Sequence, residues 1–338
     1  MRALELSGSG FEHLRVAQRP APAPGAGEVL LRMRAAAVGL RDYKMVTGAY
    51  ASPAFSRAFI PGGEGVGEVI ALGDGASEFA LGDRVNPLYV QGWVDGAPSP
   101  QVMADTVLGS PHRDGTFADC LVVPQAALVK TPSHLSNAEA ATLPYAGLTA
   151  WRAVAEIGGV GKGDVVVVQG TTGIGLHALQ FARALEATVI VTSKSDEKLE
   201  RARALGADHV INYAAMPEWS ARVLEISAGL GAALVLDPGG TVTMAQSIRA
   251  VRPGGAICVF GALGSAELGV YLPYLLAHNV TVHGVLGGSR KSHEAMARFL
   301  ARTRQRPVIE KVVSLGGAID AIAAMPKSEQ FGKVCIEF

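Results

Sequence analysis

The fold is set by the stretch Asp164-Val165-Val166-Val167-Val168-Gln169-Gly170-Thr171-Thr172-Gly173-Ile174-Gly175. The continuous apolar run at its start is expected for a strand that is buried on both faces of a sheet. The glycine-rich turn follows that strand and opens a helical stretch, so backbone amides at the helix N-terminus face a phosphate. This order of strand, turn and helix predicts a nucleotide-binding site, with an ordinary turn as the alternative. All residues of the turn are assigned to cofactor binding: Gly170, Thr171, Thr172, Gly173, Ile174 and Gly175.

Strands and helices alternate around this turn. Further apolar runs follow the same pattern: Thr188–Val191, Ala233–Leu236 and Ala256–Phe260. Alternation of this kind implies right-handed crossovers and a parallel sheet. Elsewhere, short β-like runs such as Glu28–Met33 are separated by glycine and proline turns, which indicates a compact β unit. We therefore predict an α/β protein in which a nucleotide-binding domain of residues 125–269 is inserted into a β domain of residues 1–124 and 270–338.

The residues after the second strand of this series favour NADP over NAD. An NAD site usually has Asp or Glu about 20 residues past the phosphate loop, where the carboxylate holds the ribose 2′-hydroxyl. This chain has Thr192-Ser193-Lys194-Ser195 there, and hydroxyls and a lysine suit a 2′-phosphate. Four residues are assigned to that pocket: Ser193, Lys194, Lys198 and Tyr213. In the alternative, these polar groups cap the helix that starts near Asp196.

Composition and charge exclude several classes of protein. The chain has 338 residues, with 30 Lys plus Arg against 30 Asp plus Glu, so it lacks the basic excess of an electrostatic nucleic-acid binder. Hydrophobic residues make up 49% and charged residues 18%, which excludes a disordered chain. No apolar run approaches the about 18 residues that span a bilayer, and no targeting segment is visible, so we predict a cytoplasmic protein without membrane partners. The three cysteines lie far apart, which suits a reducing compartment.

Four further motifs carry a resemblance to a known family. They are Gly62-Gly63-Glu64-Gly65-Val66-Gly67, Pro144-Tyr145-Ala146-Gly147-Leu148-Thr149-Ala150-Trp151, Ala204-Leu205-Gly206-Ala207-Asp208 and Phe331-Gly332-Lys333-Val334. Together with the glycine-rich turn, they make the chain resemble the medium-chain dehydrogenase/reductase superfamily, which includes zinc alcohol dehydrogenases and quinone oxidoreductases, over nearly its whole length. The resemblance implies a GroES-like β domain, an inserted Rossmann domain with a doubly wound parallel sheet, and a homodimer.

The resemblance does not extend to the catalytic zinc of the superfamily. Zinc members hold the metal with Cys, His and Cys at positions that here are Gly39, Gly63 and Tyr145. A catalytic zinc takes three protein ligands from Cys, His or carboxylate side chains. The carboxylates of Asp42 and Glu64 remain nearby, but two carboxylates without a thiolate or an imidazole make a poor zinc site. The four-cysteine structural zinc lobe is absent as well, because residues 86–116 contain no Cys. We therefore predict a protein without zinc or another metal.

Two tyrosines are candidate proton donors. Tyr50 matches the proton-donating tyrosine of related enoyl reductases, with packing on the β domain as its alternative role. Tyr145 takes the third metal-ligand position, where it either donates to the substrate or fills the space of the metal. The residues assigned to the substrate pocket are Arg41, Asp42, Tyr43, Tyr89, Trp93, Tyr271 and Tyr274. Among them, Arg41 either binds a substrate anion or forms a surface salt bridge. Further cofactor contacts are assigned to Thr149, Gly261, Ala262, Leu263, Leu286, Gly287 and Lys333.

These observations lead to one main hypothesis and two alternatives. Without zinc as a Lewis acid, hydride transfer to an activated C=C bond or a quinone is easier than plain alcohol oxidation. We therefore expect an NADPH-dependent enoyl reductase or quinone oxidoreductase that acts on a small molecule, with a tyrosine or water as the proton donor. The first alternative is a zinc-free alcohol or carbonyl dehydrogenase. The second is a non-catalytic protein that binds NADPH as a sensor or structural component.

Overall fold

The computed structural model describes residues 1–50, 57–261 and 270–338. The strands, numbered β1 to β15 in chain order, are Arg2–Leu6, Leu14–Gln18, Glu28–Val38, Gly65–Leu72, Arg84–Pro87, Cys120–Pro124, Leu128–Lys130, Val165–Gln169, Thr188–Ser193, His209–Asn212, Ala232–Asp237, Val251–Val259, Thr281–Gly284, Ile309–Ser314 and Lys333–Glu337. The α-helices, numbered α1 to α11, are Leu40–Val46, Pro100–Asp105, Asn137–Ala141, Leu148–Trp151, Gly173–Ala184, Asp196–Ala204, Trp219–Ile226, Met244–Ala250, Leu272–His278, Arg290–Thr303 and Ala318–Ala324. Within the described ranges, no helix combines the length and the hydropathy that crossing a membrane requires.

The contacts divide the chain into two units. The first unit comprises Met1–Leu148 and Gly287–Phe338, and the second comprises Thr149–Leu286. The sequence-based prediction placed the boundaries earlier, after residues 124 and 269. Residues 125–148 join the first unit because α3 packs against β3 and β15 of its sheet. Residues 270–286 join the second unit because β13 pairs with β12.

The central strand of the first unit is β3. Its sheet has the order β14-β15-β3-β4-β5-β7, and β6 also pairs with β3. Only β14 and β15 run parallel in this sheet, as far as the structure describes it, and β1 and β2 form a separate antiparallel pair. Val29, Leu31 and Met33 are buried and alternate with more exposed residues, so this half of β3 faces the core on one side. From Ala35 to Val38 every residue is buried, and the strand leads directly into α1, which carries three candidate site residues.

The second unit is built on a parallel sheet. Its strands have the order β10-β9-β8-β11-β12-β13, and the pairings are parallel. The sequence order reverses between β8 and β11, and open α/β sheets bind ligands at the carboxyl ends of the strands beside such a switch point. Val166, Val167 and Val168 in β8 are fully buried, as expected for a strand covered on both faces. The predicted α/β fold, with a Rossmann-like sheet and a β-rich unit, is confirmed.

Candidate active site and nucleotide site

The turn between β8 and α5 has the geometry of an anion site. Gly170 has a φ of 89°, in the left-handed region that glycine adopts without strain. Helix α5 begins at Gly173, and no side chain among the described residues caps it, so N–H groups of its first turn stay available to a ligand. A Cβ on Gly175 would lie 2.3 Å from the Gly170 carbonyl oxygen, so only glycine fits this close approach. The turn therefore suits the phosphates of a dinucleotide.

A buried chain of hydrogen bonds supports this turn, and sequence reasoning missed it. The Gln169 amide donates to Ser247 Oγ at 2.8 Å, and that hydroxyl donates to Asp237 Oδ2 at 2.7 Å. Asp237 Oδ1 accepts from the backbone N–H groups of Gly239 at 2.9 Å and Gly240 at 3.1 Å. This series of hydrogen bonds connects the end of β8 to the end of β11 beside the switch point. The available signal was an Asp at the end of an apolar run, followed by a proline and two glycines.

Hydroxyl and ammonium groups follow β9 as the sequence suggested. Ser193 Oγ accepts from the Ser195 N–H at 3.3 Å, and Ser195 Oγ in turn accepts from the Lys198 N–H at 3.3 Å. Ser195 is therefore a helix cap, in agreement with the capping alternative for that residue. Lys194 is exposed at the tip of the turn, and its ammonium faces solvent.

The first acid after β9 already has a partner. Asp196 Oδ1 accepts from the Asn212 side-chain amide at 2.7 Å, which draws this carboxylate toward β10. Tyr213, the residue after Asn212, donates its backbone N–H to the Ser193 carbonyl at 3.1 Å, so it lies beside the end of β9. Three of the four residues assigned to the 2′-phosphate pocket thus lie on neighbouring turns at one edge of the sheet, and Lys198 follows in the first turn of α6.

In the first unit, α1 positions an acidic side chain and a basic one, Asp42 and Arg41. The Gly39 N–H donates to Asp42 Oδ2 at 2.8 Å, which fixes the start of the helix. Asp42 is buried, and burial raises the pKa of its carboxyl, although the nearby Arg41 opposes the shift. The capping acid therefore orients the helix, and the residue before it, Arg41, points into the interior.

Arg41 is buried rather than part of a surface salt bridge. Its Nη2 donates to the Gly109 carbonyl at 3.0 Å, while Nε and Nη1 are buried without a hydrogen-bond partner among the described residues. The guanidinium carbon lies 5.4 Å from the centre of the Tyr50 ring and 5.2 Å from that of Tyr89, both within cation–π range. The surface alternative for this residue is therefore wrong.

Three tyrosines surround this guanidinium. The rings of Tyr89 and Tyr145 lie 4.6 Å apart between centres and are tilted by 55°. Tyr145 belongs to a π-helical stretch, Leu143–Gly147, and such stretches often occur at functional sites. Burial raises the pKa of the Tyr145 and Tyr89 hydroxyls. We call Arg41, Tyr50, Tyr89 and Tyr145 the tyrosine–arginine cluster.

A buried ion pair next to this cluster joins the two segments of the chain that form the first unit. Lys333 Nζ pairs with Glu64 Oε1 and also donates to the Val38 carbonyl at 2.9 Å. Glu64 Oε2 accepts from the Ala146 N–H at 3.0 Å, so the carboxylate also holds the segment that carries Tyr145. Burial raises the pKa of Glu64, while Lys333 opposes the shift. Sequence reasoning assigned Lys333 to the cofactor and gave Glu64 no role beyond a poor zinc ligand; the structure shows both inside the first unit.

The donor set at the three metal-ligand positions does not fit a catalytic zinc. A Cβ on Gly63 would lie 2.7 Å from a carbon of the Tyr89 ring, so no larger side chain fits there unless the ring moves. A Cβ on Gly39 would lie 3.9 Å from Lys333 Nζ, which places a cation beside the first ligand position. Across residues 1–50, 57–261 and 270–338, no three His, Cys, Asp or Glu side chains are grouped closely enough to hold a metal.

The remaining pocket assignments fall at other places in the structure. Tyr43 packs on Phe11, with ring centres 6.1 Å apart, and the Trp93 indole donates to the Gly96 carbonyl at 2.7 Å. The structure does not bring these two side chains into the tyrosine–arginine cluster. Tyr271 and Tyr274 belong to the second unit, where Tyr271 is exposed and Tyr274 stacks on His278 with ring centres 4.0 Å apart.

The other cofactor assignments are spread over both units. Thr149 is fully buried at the start of the second unit, and Gly261 is exposed after β12. Leu286 is half-buried, and Gly287 lies against the Tyr89 ring. The assignments to Ala262 and Leu263 lie outside the described residues.

Comparisons with known proteins agree with this architecture. A family model described as an alcohol dehydrogenase GroES-like domain matches residues 25–133, and one described as a zinc-binding dehydrogenase matches residues 173–302. A zinc-type alcohol dehydrogenase-like protein from Schizosaccharomyces pombe is 34% identical, with 97% of this chain and 96% of the relative covered. An acryloyl-coenzyme A reductase from Sulfurisphaera tokodaii is 28% identical over 94% of each chain. A crystal structure of a proposed alcohol dehydrogenase from Sinorhizobium meliloti is 36% identical, with a TM-score of 0.93 over 100% of this chain and 98% of the other. The chain therefore belongs to the medium-chain dehydrogenase/reductase superfamily of NAD(P)-dependent oxidoreductases.

Proposed function

We propose that this protein is a zinc-independent reductase that uses NADPH to reduce an α,β-unsaturated carbonyl compound or a quinone. The proposal rests on the identity of the residues at the three positions that hold the metal in zinc members of the superfamily. Gly39 and Gly63 offer no ligand atom, and the Tyr89 ring fills the space beside Gly63. The third position holds Tyr145, and a phenol is not among the Cys, His and carboxylate side chains that bind zinc in proteins. A positively charged guanidinium lies among these residues, and it disfavours a divalent cation.

The chemistry then depends on the substrate and on hydrogen-bond donors of the first unit. When bound, NADPH supplies a hydride, which carries two electrons. In a conjugated carbonyl, a new C–H bond at the β-carbon sends the C=C electron pair toward the carbonyl oxygen, and protonation of the α-carbon completes the reduction. The protein has to stabilise negative charge on oxygen and to deliver one proton. The tyrosine–arginine cluster contains groups for both tasks, namely a guanidinium and phenolic hydroxyls.

The relatives support two candidate reactions. One is named for reduction of an acryloyl thioester, which is a conjugated carbonyl compound, and others are named as alcohol dehydrogenases. A zinc-free alcohol or carbonyl dehydrogenase is therefore the second candidate. We favour the conjugated substrate because its own π system spreads the charge that zinc would otherwise neutralise. The non-catalytic alternative predicts NADPH binding without turnover of any acceptor.

An acceptor panel separates these candidates. NADPH oxidation would be followed with an enoyl thioester, an enone, a quinone and a saturated aldehyde, and NADP reduction with a primary alcohol. We expect kcat/KM for at least one conjugated acceptor to exceed that for the aldehyde by about 100-fold or more, because a difference of about 3 kcal/mol in transition-state binding gives this ratio. Turnover of the aldehyde and the alcohol alone would identify the second candidate. Cofactor binding without turnover would identify the sensor.

The preference for NADPH is tested at Lys194. If the Lys194 ammonium contacts the 2′-phosphate, Lys194→Ala removes a charge-assisted interaction worth about 1.5–3 kcal/mol, and the KM for NADPH rises about 10- to 100-fold. The KM for NADH should stay unchanged, because NADH lacks that phosphate. Lys162→Ala is the matched control, since Lys162 is an exposed lysine of the same unit that precedes the amino end of β8, whereas Lys194 follows the carboxyl end of β9. An equal loss for both cofactors, or no loss, would contradict the assignment.

Two expectations about the whole protein stay predictions. We propose a homodimer, following the resemblance, and a cytoplasmic location. Cys120, Cys258 and Cys335 are free thiols in the structure, in keeping with a reducing compartment.

A further inference from the structure

The guanidinium of Arg41 forms few hydrogen bonds for a buried charged group. One carbonyl oxygen, that of Gly109, accepts from Nη2, and the N–H groups on Nε and Nη1 have no partner in the described part of the chain. Asp42 does not pair with it: no ion pair within 4.0 Å includes Arg41 among the described residues, and Asp42 Oδ2 accepts from the Gly39 N–H. Burying polar N–H groups without hydrogen bonds is costly, so these groups are suited to bind a ligand that offers acceptor atoms.

These N–H groups lie beside the positions that hold the catalytic metal in zinc members of the superfamily. Arg41 Nη1 is 3.5 Å from where a Cβ of residue 63 would be, and residue 63 occupies the second metal-ligand position. The guanidinium also interacts electrostatically with Tyr145, at the third position. A cation that offers hydrogen-bond donors therefore lies beside these two positions.

We propose that Arg41 is the oxyanion-binding residue of the reaction: its free N–H groups bind the carbonyl oxygen of a conjugated carbonyl substrate and stabilise the negative charge that develops there. This inference rests on the proposed function and narrows it to acceptors with a carbonyl next to the C=C bond. As the β-carbon gains the hydride, the C=C pair moves to the carbonyl, and the oxygen becomes an enolate. Arg41 keeps its protons, because a guanidinium is not deprotonated in proteins, so the α-carbon proton comes from a separate donor, a tyrosine or water.

This role makes a kinetic prediction that differs from simple anion binding. The oxygen is neutral in the bound substrate and negative in the transition state, so the interaction strengthens during the reaction. Arg41→Gln should therefore lower kcat for the conjugated acceptor about 100- to 1,000-fold, while KM changes by less than about threefold. Loss of a hydrogen-bond donor to an oxyanion has an effect of this size on kcat in other enzymes. Arg41→Lys, which keeps a charge and N–H donors, should recover part of the rate.

A stability measurement separates this role from a structural one. A guanidinium with one hydrogen bond to the chain and no ion pair within 4.0 Å among the described residues contributes little to folding. Arg41→Met should therefore unfold at the same temperature as the wild type or at a higher one, although its kcat is as low as that of Arg41→Gln. Arg84→Met is the control, since Arg84 also makes one hydrogen bond to a carbonyl, that of Leu135, and has a buried, unpaired Nε. The control should keep the wild-type kcat.

The outcomes are distinguishable. Loss of kcat with unchanged KM and unchanged or raised unfolding temperature supports the proposal. A rise in KM with unchanged kcat would assign Arg41 to a ground-state anion and overturn it, as would unchanged kinetics or a loss of activity that follows a lower unfolding temperature. If the wild-type protein reduces no conjugated carbonyl at all, the proposed function itself fails and this inference fails with it. If the wild type does so and Arg41→Gln is unaffected, only the role of Arg41 is wrong.

Discussion

Tyr50→Phe is expected to lower kcat for a conjugated acceptor by about 100- to 10,000-fold, the range for loss of a general acid. Tyr50 belongs to the tyrosine–arginine cluster, and the centre of its ring lies 5.4 Å from the guanidinium carbon of Arg41. Burial raises the pKa of the Tyr145 and Tyr89 hydroxyls, which makes them weaker acids and poorer donors. We assign protonation of the α-carbon to Tyr50, whose ring lies beside the guanidinium that we propose binds the carbonyl oxygen. The measurement is steady-state turnover in H₂O and D₂O, since a slowed proton transfer increases the solvent isotope effect.

Two variants serve as controls for this prediction. Tyr43→Phe removes a hydroxyl from a tyrosine that packs on Phe11, and its kcat should match that of the wild type. Tyr145→Phe tests the other candidate, and we expect a smaller loss than for Tyr50→Phe. If Tyr145→Phe carried the whole loss and Tyr50→Phe were fully active, the assignment of the proton donor would have to be reversed.

Lys333→Met is expected to lower the free energy of unfolding by about 3–5 kcal/mol, because it leaves Glu64 buried and charged without its partner. Both side chains of this pair are nearly inaccessible, at 8% and 4% relative exposure. The measurement is chemical denaturation of the wild type and the variant. A second variant, Lys333→Met with Glu64→Gln, should recover most of the loss, since Gln is uncharged and keeps an oxygen that can accept from the Ala146 N–H.

The pH dependence of the Lys333→Met variant follows from the same pair. Burial raises the pKa of Glu64, and removing Lys333 takes away the group that opposes the shift. A carboxyl with a raised pKa binds a proton more readily in the folded than in the unfolded protein, so stability falls as the pH rises above the unfolded pKa. The loss in Lys333→Met should therefore be smaller at pH 5 than at pH 8. A loss below about 1 kcal/mol at pH 8, or a double variant no more stable than the single one, would contradict this account of the pair.

The parts of the fold that sequence predicts are those decided by local patterns. The run Val165–Val168 predicts a strand that is buried on both faces, because every residue in it is apolar. The turn at Gly170 predicts a phosphate site, because a strand precedes it and a helix follows it. The boundaries after residues 124 and 269 differ from the observed ones for the opposite reason. Contacts with strands that are distant in sequence determine where a short helix such as Asn137–Ala141 packs. The local sequence pattern does not reveal these contacts.

The sequence predicts which residues belong to the candidate site, but it does not predict the interactions among them. Glu64 and Lys333 are 269 positions apart, and their pairing follows from the approach of β15 to β3. The burial of Arg41 depends in the same way on the loop that contains Gly109, 68 positions away. A sequence shows that an arginine is present, but whether it is solvated or buried is decided by how the strands and loops pack around it.

The central claim, that hydride transfer here needs no zinc, is tested most directly by one measurement: the metal content and the NADPH-dependent turnover of a conjugated acceptor for the same protein before and after exhaustive chelation. We predict less than about 0.1 zinc per chain and an unchanged kcat after chelation, because the three metal-ligand positions hold two glycines and a protonated tyrosine. About one zinc per chain, with activity lost on chelation and restored by added zinc, would contradict the account.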